Sequence, residues 1–227
     1  MRDTNSLRDE IRLEQNKLKD QPFSKKLEYF WYYYKIHIII IVLLACMFGS
    51  ILDSILSQKE TVLSIAYINA FPNVEDEEFI QDFEIYLGLN QKKQQVILDS
   101  TYYIDETSTS PYATTYSQKF STNAMAGKLD VVLADAAHFD YYGNFGFFQD
   151  LSNVLSADDL KKYADYLYFV DLPDDESPKK VPIGIKINNA AKISQTSSYP
   201  NTDAYFGFVT GSQRTETALA YLQYLEN

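Results

Sequence analysis

The 227-residue chain predicts an α/β protein: a single transmembrane helix followed by one α/β domain with a mainly parallel sheet. Three observations lead there. Residues 29–52 form a 24-position stretch dominated by apolar and aromatic side chains. From residue 61 onward, short apolar runs alternate with segments of helical spacing, the pattern of βαβ units. A hydrophobic fraction of 46% supplies a real core and excludes a wholly disordered chain.

The apolar stretch justifies itself by length and flanks. Ile36 to Leu52 reads IHIIIIVLLACMFGSIL, preceded by Tyr29-Phe30-Trp31-Tyr32-Tyr33-Tyr34. A helix rises about 1.5 Å per residue and needs roughly 20 residues to cross the hydrocarbon. Trp and Tyr favour the headgroup zone, and Lys35 reaches the same interface with its ammonium. Lys25, Lys26 and Lys35 lie on the N-terminal side, against Lys59 on the other. The positive-inside rule then gives a cytoplasmic tail (1–28), a membrane helix (29–52), a linker (53–60) and an extracytoplasmic domain (61–227). The expected location is the cell membrane, single-pass, N-terminus cytoplasmic and C-terminal domain extracellular. A cleavable signal would need a short basic leader and a small-x-small site, and neither is present. Leu43-Leu44-Ala45-Cys46 has the shape of a lipobox, yet apolar Met47-Phe48 follows where a polar tether belongs, so an uncleaved anchor is the preferred reading. His37, near Lys35, reads as interfacial.

In the tail, residues 4–20 carry Leu7, Ile11 and Leu18 among mixed charges, a weakly amphipathic helix that Pro22 ends. Ser24 is the expected cap of the membrane helix. Beyond the linker, Val62–Ile68 reads as a strand, broken at Pro72-Asn73. Glu75-Asp76-Glu77-Glu78 opens a helix to about Leu89, its acids complementing the macrodipole. A strand over about 95–98, reaching toward 104, precedes a helix over 113–126 that Gly127 terminates. Asp130–Ala134 is a short buried strand. Ser156, with Asp159 three residues on, caps another helix. Val181–Ile187 and Phe206–Val209 read as strands, and Thr215–Leu225 as a closing helix with Leu219, Tyr221, Leu222 and Leu225 at core spacing.

The string DVVLADAAHFDYYGNFGFFQDLSNVLSADDLKKYADYL (130–167) resembles a stretch of the extracellular solute-binding proteins of the type 2 periplasmic-binding fold. In that family an Asp-led apolar strand is followed by a short helix, a glycine-containing turn and an apolar-x-Asp-Leu segment, here Asp130–Leu133, Ala136–Tyr142, Gly146 and Phe148-Gln149-Asp150-Leu151. Val181-Pro182-Ile183-Gly184-Ile185 is similar to the strand returning toward the hinge. The anchored layout, with SKKLEYFWYYYKIHIII before the span, looks like single-pass proteins of Gram-positive anaerobes. The resemblance covers about residues 61–190. Only 40 residues follow Ile187, too few for a second lobe, so it implies one reduced lobe with a shallow, open site.

Chemistry is sparsely marked. One cysteine permits no intramolecular disulfide and no Cys-based zinc site. There is no G-x-S-x-G, H-E-x-x-H, P-loop or G-x-G-x-x-G, so no catalytic residue, metal or cofactor is expected. Residues 53–227 hold 12 Lys and Arg against 25 Asp and Glu, a net of −13, which argues against nucleic acid as a partner. Asp135 and His138 are three apart, spaced to share a helix face; the plainer alternative is that Asp135 caps the helix. Phe139, Tyr141, Tyr142 and Phe145, with Phe147 and Phe148, form an aromatic cluster interleaved with glycines, read as a loop at a strand's C-terminal end. Ligands of open α/β sheets bind at that edge, and such rings can stack on a sugar or peptide, or pack on protein. The candidate ligand-binding residues are therefore Asp135, His138, Phe139, Tyr141, Tyr142 and Phe145. The expected function is a non-catalytic, solute-binding-like binding or accessory module. Its partners would be the bilayer, a transporter or other membrane-complex subunit, and a small-molecule, saccharide or peptide ligand. The alternative is a structural or assembly subunit that contacts protein only.

Overall fold

The structure is a computed structural model that describes Arg12 and residues 22–71, 76–105, 107, 108, 110–172 and 179–227. Apart from Arg12, the tail helix expected over 4–20 lies outside the described residues, as do the Pro72-Asn73 break, Glu75 and residues 173–178. The chain divides into two units, Met1–Gln58 and Lys59–Asn227.

The first unit holds α1 (Phe23–Leu56), a 34-residue helix. No proline interrupts its apolar run, so the i→i−4 ladder continues unbroken. Ser24 does not cap it. The cap position falls on Pro22, whose ring presets an extended-to-helical entry (φ −61°), and Lys25 N–H donates to Pro22 O at 3.0 Å. Residues 34–56 are long and apolar enough to cross a membrane, at 23 residues or about 34 Å. Side chains along this stretch, Ile41, Leu43 and Phe48 among them, are exposed, surface that water solvates poorly. At its start Phe30 stacks on Tyr34 with centroids 4.9 Å apart, and Lys35 Nζ lies 5.8 Å from the Tyr32 ring. Cys46 is exposed on this helix as a free thiol.

The second unit is built on a six-stranded sheet, ordered β2-β1-β3-β6-β5-β4. Its elements are β1 (Glu60–Ile68), α2 (Asp76–Tyr86), β2 (Gln94–Tyr102), α3 (Pro111–Met125), β3 (Val131–Asp135), α4 (Ala136–Asn144), α5 (Ala157–Lys162), β4 (Leu167–Leu172), β5 (Lys179–Lys186), α6 (Ala191–Thr196), β6 (Ala204–Phe208) and α7 (Thr215–Glu226). β2, β1 and β3 are parallel, with Ile65 opposite Leu98 and Val131. The other pairings are antiparallel: Val131 opposes Phe208, Ile185 opposes Phe206, and Val170 opposes Val181. The sheet is thus mixed, parallel only in the half that the βαβα connections build. For β4 and β5 the difference has a local cause. Residues 167–172 form β4, a strand the sequence pattern leaves unassigned, and the short 173–178 connection to β5 permits only antiparallel pairing, because a parallel crossover needs a dozen residues or more.

Period-2 alternation along β1 sorts side chains to two faces. Leu63, Ile65 and Tyr67 point to one core with Phe83 of α2 and Tyr221, Leu222 and Leu225 of α7. Ala66 and Ile68 point to the other, with Phe120 of α3 and Phe139 of α4. Helices therefore cover both faces, and each fully buried Leu, Ile or Phe contributes about 1.5–3 kcal/mol. Helix ends follow their capping residues. Ser110 Oγ accepts from Tyr112 N–H at 3.3 Å with Pro111 in the first turn of α3, and Gly127 follows that helix at φ +62°. Ser156 Oγ accepts from Asp159 N–H at 3.1 Å and lies 2.6 Å from the Asp159 carboxylate, the expected cap of α5. Asp130, 1% exposed, accepts from Ser64 N–H (2.8 Å), Ser212 Oγ–H (2.6 Å) and Arg214 Nη1 (3.1 Å), so its buried charge is met from β1 and from the segment that leads into α7.

Candidate functional site

The chain leaves β1 toward β2, and β3 is then added on the other side of β1. That reversal is the topological switch point where open α/β sheets bind ligands, outside the carboxyl ends of the strands. Asn69 directly follows β1 there. It adopts the left-handed conformation at φ 54°, which Asn tolerates better than most residues. Its side chain behaves as an added piece of strand: Oδ1 accepts from Ile104 N–H at 2.8 Å while Nδ2 donates to Ile104 O at 3.0 Å. The second amide hydrogen goes to Asp135 Oδ2 at 3.0 Å.

Asp135 ends β3 and caps α4, its Oδ1 accepting from Ala137 and His138 N–H, each at 3.1 Å. His138 Nδ1 lies 2.8 and 2.9 Å from the two carboxylate oxygens. With both Asn69 amide hydrogens committed, the network assigns the proton to Nδ1, donated to Asp135, so the 3.2 Å approach of Asn69 Nδ2 to Nδ1 is contact between two donors. Burial pulls the Asp135 pKa upward. Hydrogen bonds from the His138 ring, the His138 amide and Asn69 outweigh it and hold the carboxyl below its ordinary value.

Tyr199 fills the remaining gap. Its hydroxyl lies 2.9 Å from Ile68 O, at the end of β1, and 3.0 Å from Leu133 O, within adjacent β3. Burial, with the charges of Tyr67 and Asp135 adding to it, pushes this hydroxyl's pKa well up, so it stays a donor. The switch-point crevice is thus occupied by the chain's own side chains.

Open space lies beside it, across the ends of β1 and β2. A cleft of about 600 Å³ is lined by Asn69, Phe71, Thr101, Tyr103, Tyr116 and the Tyr199–Thr202 segment. That volume is within the range of small-molecule sites. Phe71 N–H donates to Ser198 O at 2.7 Å, fastening one wall to the other. Phe71 and Tyr103 are 50% and 52% exposed, so their rings are available at the mouth.

The residues singled out from sequence separate. Asp135 and His138 come together as a capped pair joined to Asn69, and Asp135 takes the capping role. The aromatic cluster is not a loop: Phe139, Tyr141 and Tyr142 lie on α4, and Phe145 is its C-cap. Phe139 cannot serve as a ligand platform. It has no exposed surface, stacks on Phe148 with centroids 4.2 Å apart, and packs over Gly184 and Gly207, where the sheet has no side chain to hold the ring off. Tyr142 is half-buried against Phe120 at 5.0 Å and Phe147 at 5.7 Å. Tyr141 and Phe145 are exposed, with centroids 5.0 Å apart, and do not line the cleft. Among the described residues no group of three His, Cys, Asp or Glu is placed to hold a metal ion. Sequence reasoning missed Asn69, Tyr103, Tyr116 and Tyr199. The available signals were weak: an Asn between an apolar strand and a proline, and the turn-rich Ser197-Ser198-Tyr199-Pro200-Asn201.

No family model matches the chain, and no curated protein matches it. Among solved structures, a cysteine-to-serine mutant of Corynebacterium glutamicum OxyR, bound to H2O2, is similar at 11% identity and a TM-score of 0.29, over 99% of this chain and 86% of that one. The functional reading accordingly stands on the chain's own geometry.

Proposed function

We propose that this chain is a membrane-anchored, extracytoplasmic binding module that takes up a ligand without transforming it. The observation that carries the reading is the cleft at the carboxyl ends of β1 and β2, with exposed rings at its mouth and a rigidly bonded floor. A binding site needs pre-formed walls, and Asn69 and Tyr199 supply them. The anchor is supported by residues 34–56 and by lysines concentrated on their N-terminal flank. Two measurements test this. Protease added to intact cells should digest the region after residue 60, and full protection would overturn the outward orientation. Native mass spectrometry of the full chain in lipid nanodiscs should show a co-purified small molecule, and a bare chain at high ligand exposure would count against capture.

A second reading is favoured by one observation. Tyr141 and Phe145 form an exposed aromatic pair on the outer side of α4, suited to a protein contact of the kind an assembly or transporter-accessory subunit makes. Loss of a membrane partner on Tyr141→Ala and Phe145→Ala, with ligand uptake intact, would establish docking as the main role.

A further inference from the structure

Three features of the cleft specify what it can hold. Among the described residues its lining carries no carboxylate, ammonium or guanidinium, although residues 53–227 as a whole are strongly acidic. The nearby charges are committed elsewhere: Asp135 to His138 and its own helix, Asp105 to Thr107 and to Tyr103 Oη–H at 3.3 Å, and Asp99 to Lys119 at 2.5 Å. Lys119 Nζ lies 3.2 Å from Thr101 Oγ1 on the lining but is paired with Asp99, so among the described residues an anion entering this space meets no unpaired cation, and an ammonium no unpaired carboxylate. Desolvating either ion unpaired would cost several kcal/mol. An uncharged ligand fits.

The second feature is flat apolar surface, from Phe71 and Tyr103 at the mouth and Tyr116 on the α3 wall. The third is the polar complement. The Tyr116 hydroxyl and the Asn201 amide line the cleft, and both groups can donate and accept. The matching ligand edge carries groups with the same dual character, which is the property of vicinal hydroxyls. A ring with one C–H face and a rim of hydroxyls presents both surfaces at once.

We infer that the cleft binds an uncharged saccharide, one sugar face stacked on Tyr103 or Phe71 and its hydroxyls meeting Tyr116 and Asn201. This inference rests on the reading of the domain as a binding module. The experiment is calorimetric titration of the full chain in lipid nanodiscs with maltotriose, cellotriose and chitotriose, and with trigalacturonate as the charged counterpart. At least one uncharged trisaccharide should bind, trigalacturonate more weakly. Tyr103→Ala should lower affinity about tenfold and Phe71→Ala severalfold, as loss of one stacking contact implies. Both side chains are half exposed, and unchanged circular dichroism would show that the variants fold. Absence of binding by all three sugars, tighter binding of trigalacturonate, or affinity indifferent to both substitutions overturns the proposal. A co-purified mass that is not a saccharide would overturn the ligand class and leave the binding-module reading standing; failure of both measurements would remove both.

Discussion

The carboxylate of Asp135 accepts from two amides of α4, from the His138 ring and from Asn69, joining β1, β3 and α4 at one atom group. Its lowered pKa fixes a pH signature. A carboxyl whose folded pKa lies below its unfolded value near 3.8 stabilises the fold fully above that value, and this stabilisation disappears as pH falls through the lower folded pKa. Asp135→Asn should therefore lower the neutral-pH melting temperature, through a loss of about 1–3 kcal/mol for a charged hydrogen-bond acceptor, and flatten the melting profile below about pH 4. Thermal melts across that range in wild type and variant test it; parallel profiles would show that Asp135 is not the group responsible. The pair was legible in sequence because Asp135 and His138 are three residues apart. Asn69 was not, since it lies 66 residues from Asp135 and only the pairing of β1 with β3 brings them together.

Among the elements, α4 and the strands beneath it show how close approach is achieved. A Cβ at Gly207 would fall 2.4 Å from the Phe148 ring and 2.9 Å from Phe139, and both rings are buried. Neither can swing aside, so Gly207→Ala should destabilise the domain by about 1–3 kcal/mol. Denaturant unfolding is the check, with Phe148→Leu added to the variant recovering part of the loss; simple additivity of the two changes would exclude this contact as the cause. The same packing explains what the aromatic cluster concealed. Phe139 and Tyr141 are two residues apart and have opposite fates, one in the core and one at the surface, which a run of similar rings does not announce. The long apolar helix, the βαβα order and the Ser156 cap were all legible, because each depends on residues near one another in the chain. The direction of β6 was not, because it depends on pairing with β3, distant in the chain.

For the whole domain, the strand order sets a gradient of protection. β1, β3 and β6 have hydrogen-bonded neighbours on both sides, whereas β2 and β4 are the sheet's edges. Hydrogen exchange should be slowest at Ile65, Val132 and Phe206 and several orders of magnitude faster at Asp171 and Gln95. Uniform exchange across the sheet would contradict the pairing described. The position of β6 has a further consequence, in time instead of space. β6 comes last of the strands in the chain yet lies between β3 and β5, so a ribosome must deliver residues 204–208 before the two halves can join. Until then the nascent polypeptide carries two unfinished half-sheets with open facing edges, the kind of surface that chaperones cover and proteases find.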